Sequence, residues 1–414
     1  MKLSLPVIHA LQTSRFGTSI VPNPASQSPL LPNLDGGPKY SEQIQPIPIF
    51  EASEKAVSYG VPAEEVQQDT LNWCLTVRIT VGAPPQIFNA IIDINSTDLI
   101  IPSINRPRRN KPPPLHSYNS SASLTYIPNG TNVTSNPFQI KTSGSLSQDV
   151  FEISEIVVKN LLFEEATFID TEDCWICDRI HDTFLPLGPY NATGSRNFMS
   201  PVAALIQQRI LDENIFSLRL SRSHRDGPGQ LVIGGRVEDS FFDGNPDEYV
   251  EIPTTDLTID HADTETWKTL VQSLTLGDGS SIHHEFDQPT LAIFQTTLPF
   301  IGLPLSLSNH LNALIESEHW GSFSFVDCAK RPTLPNVTIV LAGRSFILTP
   351  YDYTIEQDES GRISCMSAFF PTTLDGTGVI ELGSAFIKPW ITVWDWERRN
   401  IKCETYISAK SEIS

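Results

Sequence analysis

Two stretches decide the fold: AIIDINSTDLIIP, from Ala90 to Pro102, and AIFQTTLPFIGLP, from Ala292 to Pro304. They align without a gap, 202 residues apart. Each opens Ala-Ile-apolar and closes on proline. The fourth residue is Asp93 in the first copy and Gln295 in the second. Each copy is followed, about 90 residues later, by an apolar segment ending in glycine: FLPLG at Gly188 and VIELG at Gly383. Two matched pairs in the same order are the mark of a duplicated lobe.

Around these stretches the chain is built of short β-rich runs broken by glycine and proline, among them CLTVRITVG, QIFNAIID, QLVIGG, VTIVLAGRSFIL and ITVWDWE. Helical spacing is confined to SPVAALIQQRIL, with Ser200 as its cap, and to LSNHLNALIE. The class is therefore mainly β with a few short helices. Residues 1–70 are rich in Pro, Ser and Gln and read as an extended leader; they hold four Lys/Arg against seven Asp/Glu.

The 414 residues suit two lobes sharing a core, and 32 prolines against 23 glycines argue for loops over long helices. A net charge of −20 excludes nucleic acid as the expected partner, because an acidic surface repels phosphate. No apolar run is long enough to span a membrane as a helix. Six cysteines and six N-x-[ST] sequons, at Asn95, Asn119, Asn129, Asn132, Asn191 and Asn336, favour the secretory route or vacuole. The first residues, MKLSLPVIHALQ, make a poor signal peptide, with Pro6 and His9 interrupting the apolar run. No metal or cofactor is expected: adjacent residues in His283-His284-Glu285 point apart on a strand.

Family resemblance enters with ITVGAPPQIFNAIIDINSTDLIIPS, which is similar to the first active-site strand and loop of pepsin-like aspartic proteases. HSYNSSASLTYIP, FQIKTSGSLSQDVFEISEIVV, HDTFLPLG and QLVIGGRVEDSFFDG resemble the family's following segments in order. TWKTLVQSLTLGDG, VDCAKRPTLPNVTIVLAGRSFILTPYDY and IELGSAFIKPWITVWDWERRNIKC resemble its second half. Coverage runs from about residue 71 to 405. The resemblance implies a bilobal fold: an N-terminal lobe over 71–238 with a flap hairpin, a C-terminal lobe over 239–414, and a central cleft. It implies a monomer that takes a peptide, protein or small-molecule ligand in that cleft.

The chemistry that the resemblance implies needs two carboxylates sharing one proton, one activating water and the other polarising the peptide carbonyl. Asp93 stands where the first belongs and Gln295 where the second belongs. An amide hydrogen-bonds but neither releases nor takes up a proton. Removing such a group costs roughly 10²- to 10⁴-fold in rate. Ile94 replaces the family threonine and cannot make its cross-lobe hydroxyl bond. Asn95 and Thr297 stand in place of glycines; Asn95 tolerates a left-handed turn and Thr297 would be strained in one. The expected binding residues are Asn95, Ser96, Thr296 and Thr297 in the loops. At the flap tip they are Thr142, aligned with the family tyrosine, with Ser143 and Gly144. Asp287 is no substitute for Gln295, since that register breaks the match through Pro304.

The resemblance implies a Cys328–Cys365 disulfide. Cys174–Cys177 is read as a small structural bridge rather than a redox pair, which leaves Cys74 with Cys403, although six cysteines allow fifteen connectivities. Three functional readings follow: a protease relative that binds without cutting, a weak or unusual aspartic endopeptidase, and a cleft recruited for small-molecule chemistry with Asp93 acting alone.

Overall fold

Strands dominate the computed structural model. It describes residues 47–51, 75–107, 116–135, 141–170, 181–189, 200–220, 229–237, 249–257, 266–359, 362–372, 374 and 378–405. The fold is the bilobal pepsin-like one. A long sheet carries strands from both halves: Val250–Pro253, Asn400–Thr405 and Trp390–Asp395 lead into Ile215–Arg219, Gly229–Ile233, Ile47–Glu51 and Leu75–Val81, and on to Lys141–Ile153 and Ile156–Asp170. A second sheet belongs to the C-terminal half and includes Lys268–Leu276, Ile282–Phe294 and Val379–Leu382.

The repeat read from the sequence is the architecture of the junction between the halves. In the first copy Gln86–Asp93 pairs in parallel with Thr183–Pro186, with Ile92 opposite Leu185. In the second, Ile282–Phe294 pairs in parallel with Val379–Leu382, with Phe294 opposite Leu382. The glycines that end both partner strands are forced by close approach. A Cβ on Gly188 would stand 2.6 Å from the carbonyl oxygens of Asn95 and Ser96, and one on Gly383 would stand 2.2 Å from that of Phe300. No side chain fits at those distances.

Both halves share one buried apolar core that runs from Leu75 to Cys403. At the junction it is aromatic: Phe216 stacks on Trp394 at 5.7 Å, and Trp267 and Phe294 meet the same indole edge-on at 5.4 and 5.5 Å. Trp396 and Trp267 Nε1 both donate to Leu187 O, at 3.1 and 3.5 Å, and Trp394 Nε1 donates to Thr392 Oγ1 at 2.8 Å. This places a rigid, fully buried platform directly beneath the loops at 93–97 and 295–298.

The predicted helices form, the first shortened to Pro201–Gln207 and the second shifted two residues toward the N-terminus as Leu305–Leu314. Ser200 caps the first, its Oγ accepting from Ala203 N at 3.2 Å. Three expectations need correction. Ile47–Glu51, assigned to the leader, is a strand joined to Gly229–Ile233 and Leu75–Val81; the rest of residues 1–70 lie outside the described residues. Thr142, Ser143 and Gly144 are not a hairpin tip. They lie inside Lys141–Ile153, paired on one side with Thr134 and Ser135 and on the other with Ile169, Phe168 and Ala166. A Cβ on Gly144 would meet Glu165 O at 2.0 Å, so that glycine serves close strand packing rather than a turn. Finally, Cys403 is a free thiol, buried on the core face of Asn400–Thr405, so it does not pair with Cys74. Cys74, Cys174 and Cys177 lie outside the described residues. Cys328–Cys365 is formed, with Cα atoms 5.3 Å apart.

Candidate functional site

The strand Gln86–Asp93 is buried along its last four residues, which carries Asp93 to the floor of the junction at 1% exposure. Its Oδ1 accepts the Asn95 amide N–H at 2.9 Å. Its Oδ2 has no partner within the described protein, nor do the buried hydroxyls of Ser96 and Thr297. Burial raises the Asp93 pKa to about 6, while the Ser96 hydroxyl and the Asn95 and Ser96 amides oppose the rise. Ser96 therefore stands near the carboxyl without making a well-formed hydrogen bond to it.

The second loop lies against the first. Thr296 Oγ1 donates to Ile92 O at 2.6 Å and accepts from Ile94 N at 3.3 Å, so one hydroxyl of the C-terminal half clamps the strand end that carries Asp93. Ile94 and Thr296 are offset by the repeat interval, 202 residues, as equivalent positions of the two copies are. Asp287, by contrast, is exposed on the strand upstream.

The reciprocal clamp is made by a residue one position further on. Ile94 offers no hydroxyl, but Asn95 Nδ2 donates to Phe294 O at 2.6 Å, and Asn95 Oδ1 accepts from Trp267 N at 3.3 Å. Phe294 is the counterpart of Ile92, the residue just before the key position. Asn95 thus supplies across the junction what Ile94 cannot. Neither Asn95 nor Thr297 has a positive φ, so the left-handed turn and the strain expected of them are absent. The Asn95 side chain is committed at both ends, which leaves no free amide for a glycan at that sequon. The Asn129, Asn132 and Asn336 side chains are exposed.

Gln295 is partly buried. Its Nε2 donates to Glu381 Oε1 at 3.0 Å, and the other oxygen of Glu381 accepts the Thr372 hydroxyl at 2.8 Å. Nothing in the sequence pointed to Glu381, which reads as one more strand residue in VIELG.

On the flap side, Thr142 is buried next to Glu164 rather than poised over the loops. Burial raises the Glu164 pKa and the nearby Asp98 adds to the rise, while the Ser135 and Thr142 hydroxyls oppose it. Neither Glu164 oxygen, nor Thr142 Oγ1, has a well-formed hydrogen bond. Ser143 and Gly144 continue that strand, with the Ser143 carbonyl accepting from Thr167. His283 and His284 diverge as adjacent strand residues do: His283 bonds Thr275 Oγ1 at 2.7 Å, and the His284 ring packs on Phe286 at 4.7 Å. The described residues contain no cluster of three metal-ligating side chains.

A family model described as "Eukaryotic aspartyl protease" matches residues 75–405. The chain is 32% identical over 336 residues to cathepsin D of Dictyostelium discoideum, covering 80% of this chain and 82% of that one. It is 30% identical over 319 residues to vacuolar protease A of Arthroderma otae, covering 77% and 74%. Against human cathepsin D it is 26% identical over 383 residues, covering 86% of each.

Proposed function

The chain belongs to the eukaryotic aspartyl protease family, and from that premise we propose that it is a member whose cleft binds a peptide or protein segment without hydrolysing it. One observation carries the reading: the position that corresponds to Asp93 in the second copy of the repeat holds an amide, Gln295, whose nitrogen is already committed to Glu381. Water attack on a peptide needs a base and an acid that exchange one proton across the junction. Asp93 can fill one role, and Gln295 can fill neither. The inter-lobe clamps at Thr296 and Asn95 support retention of a shaped cleft, since both loops are held together by three bonds shorter than 3.4 Å.

The relatives named vacuolar protease A and cathepsin D support a place in the secretory pathway or vacuole, and the exposed Asn129, Asn132 and Asn336 would carry glycans there. Residues 71–238 and 239–414 are the two lobes on this reading, with the strand Ile47–Glu51 joined to the first of them. The relatives' names also favour the second reading, an aspartic endopeptidase of weak or unusual activity.

The deciding experiment incubates the purified chain with a denatured protein from pH 3 to 6 and follows fragments by mass spectrometry. The expected result is no cleavage beyond a control without the chain. Fragments whose formation is blocked by a statine-type inhibitor would establish the endopeptidase reading instead.

A further inference from the structure

Two adjacent glutamates of the strand Ile156–Asp170 are buried, and the fold treats them differently. Glu165 is closed by its own chain: its two oxygens accept the Ser103 and Ser147 hydroxyls at 2.7 and 2.9 Å. Glu164 points to the other face of the strand, as neighbouring strand residues do. Its backbone is fixed, in register with Leu146 on one side and Ile100 on the other, and its amide donates to Leu99 O at 3.0 Å. Its side chain is fully buried, yet neither oxygen has a well-formed hydrogen bond. Buried polar atoms left this way are rare and are usually met by water or a ligand.

The groups around Glu164 do not supply the missing charge. Ser135 and Thr142 face each other in register, and both hydroxyls act on its carboxyl. Thr142 Oγ1 is itself buried without a partner. The charged group acting on Glu164 among the described residues is Asp98, another acid. Asp98 follows Ser96 by two residues and is partly exposed, so solvent reaches this group of side chains on the side of the Asp93 loop. A carboxylate shut in beside a second acid is costly unless a cation joins them. An ammonium brings three N–H donors, and three buried atoms here lack partners: Glu164 Oε1 and Oε2 and Thr142 Oγ1. A guanidinium carries five donors in a fixed plane, more than these atoms can meet. With no group of three metal-ligating side chains among the described residues, an ammonium also suits the site better than a metal ion.

We infer that Glu164, Thr142 and Asp98 form a pocket for an ammonium group, so that a lysine side chain selects the peptide segment this chain binds. This rests on the reading that the chain binds a peptide or protein segment. Glu164 accepts two of the ammonium N–H groups, Thr142 Oγ1 accepts the third, and Asp98 adds a second negative charge. Burial, with Asp98 adding to it, raises the Glu164 pKa, whereas lysine stays charged at every pH used below. The groups facing Glu164 are Asp98, Ser135 and Thr142; its strand neighbours Ile100 and Leu146 do not titrate, and Glu165 faces the other way. In acid Glu164 is protonated and the ammonium gains little. As pH rises Glu164 ionises, and the preference for lysine grows.

The test is calorimetric binding of hexapeptides of alternating leucine and alanine to the full chain. One position at a time carries lysine, or norleucine as its uncharged counterpart, and fragments are monitored in the same samples. At pH 7 lysine in one position should bind about tenfold more tightly than norleucine there, the worth of a charge-assisted bond in a buried site. At pH 4 the advantage should fall to about twofold or less. Taking the ratio cancels the titration of Asp93, which acts on both peptides alike. Glu164→Gln keeps the shape and removes the charge, so the advantage should vanish at both pH values while the variant melts no lower than wild type. Asp98→Asn should reduce the advantage without abolishing it. A merely structural Glu164 would change melting and leave the lysine preference of the variant as in wild type. That result, or equal binding of lysine and norleucine at every position, overturns the inference and leaves the peptide-binding reading standing. Fragments overturn the non-hydrolytic reading alone, and no binding of any peptide at either pH overturns both.

Discussion

The loop at Asp93–Asn95 keeps the carboxylate of its family and lacks the hydroxyl; the loop at Gln295–Thr297 keeps the hydroxyl and lacks the carboxylate. Only the first of these losses is made good. A cross-junction hydrogen bond needs a donor at the right distance, and the Asn95 amide reaches the Phe294 carbonyl from one position along the chain. Proton exchange needs a titrating group, and no rotation of an amide supplies one. The two loops therefore show what this fold can repair by substitution and what it cannot. The mechanical coupling of the halves survives, whereas the paired acid does not.

The largest effect that would sharpen this contrast concerns Asp93 itself. Its folded pKa, about 6, lies above the ordinary 3.8, so the unfolded chain ionises first. Stability is then full below pH 4, declines as pH rises from about 4 to 6, and is flat above. The whole decline is worth roughly 3 kcal/mol. Asp93→Asn should abolish that slope and melt higher than wild type at pH 7. Thermal unfolding of both proteins at pH 4 and pH 7 checks this, and an unchanged slope would mean that Asp93 does not titrate as the buried acid described here.

Next in size are the two clamps. Asn95→Ala leaves the Phe294 carbonyl and the Trp267 N–H without partners, and Thr296→Val does the same to the Ile92 carbonyl and the Ile94 N–H. Each should cost about 2 kcal/mol in urea unfolding, by the usual penalty for orphaned buried groups. Equal losses would bear out Asn95 as the stand-in for the missing hydroxyl. A neutral Asn95→Ala beside a costly Thr296→Val would break the symmetry.

The smallest effect is the most specific. Ile94→Thr restores the family hydroxyl, but the Phe294 carbonyl is already taken by Asn95. The new group is buried without a partner and removes apolar contacts, so the variant should lose about 1 kcal/mol. In an Asn95→Ala background the same change should be neutral or stabilising, an interaction that a double-mutant cycle measures directly.

Much of this was legible in the chain because local rules and tertiary structure agree. The repeat could be read because both copies must fold into the same strand and loop, and both partner strands must end in a glycine that carbonyl oxygens crowd. The Ser200 cap was readable for similar reasons, and the Cys328–Cys365 pair was implied by the family resemblance. What escaped depends on contacts that spacing does not encode. Asn95 does the work of residue 94 from a neighbouring position, so a column-by-column comparison with the family sees only a loss. Glu381 lies 86 residues from Gln295 and looks apolar by context. Thr142–Gly144 is placed at a hairpin tip by alignment with the family, yet here glycine is demanded by a strand packed onto Glu165. Ile47–Glu51 is too short and too isolated in a polar leader to announce itself as a strand.

The most direct trial of the central claim is a single-turnover experiment: the chain in excess over a quenched fluorescent peptide at pH 4, followed for days beside a buffer control. One titrating oxygen pair in place of two predicts the two traces to coincide. A faster release of fluorescence in the presence of the chain, suppressed by a statine-type inhibitor, would contradict it.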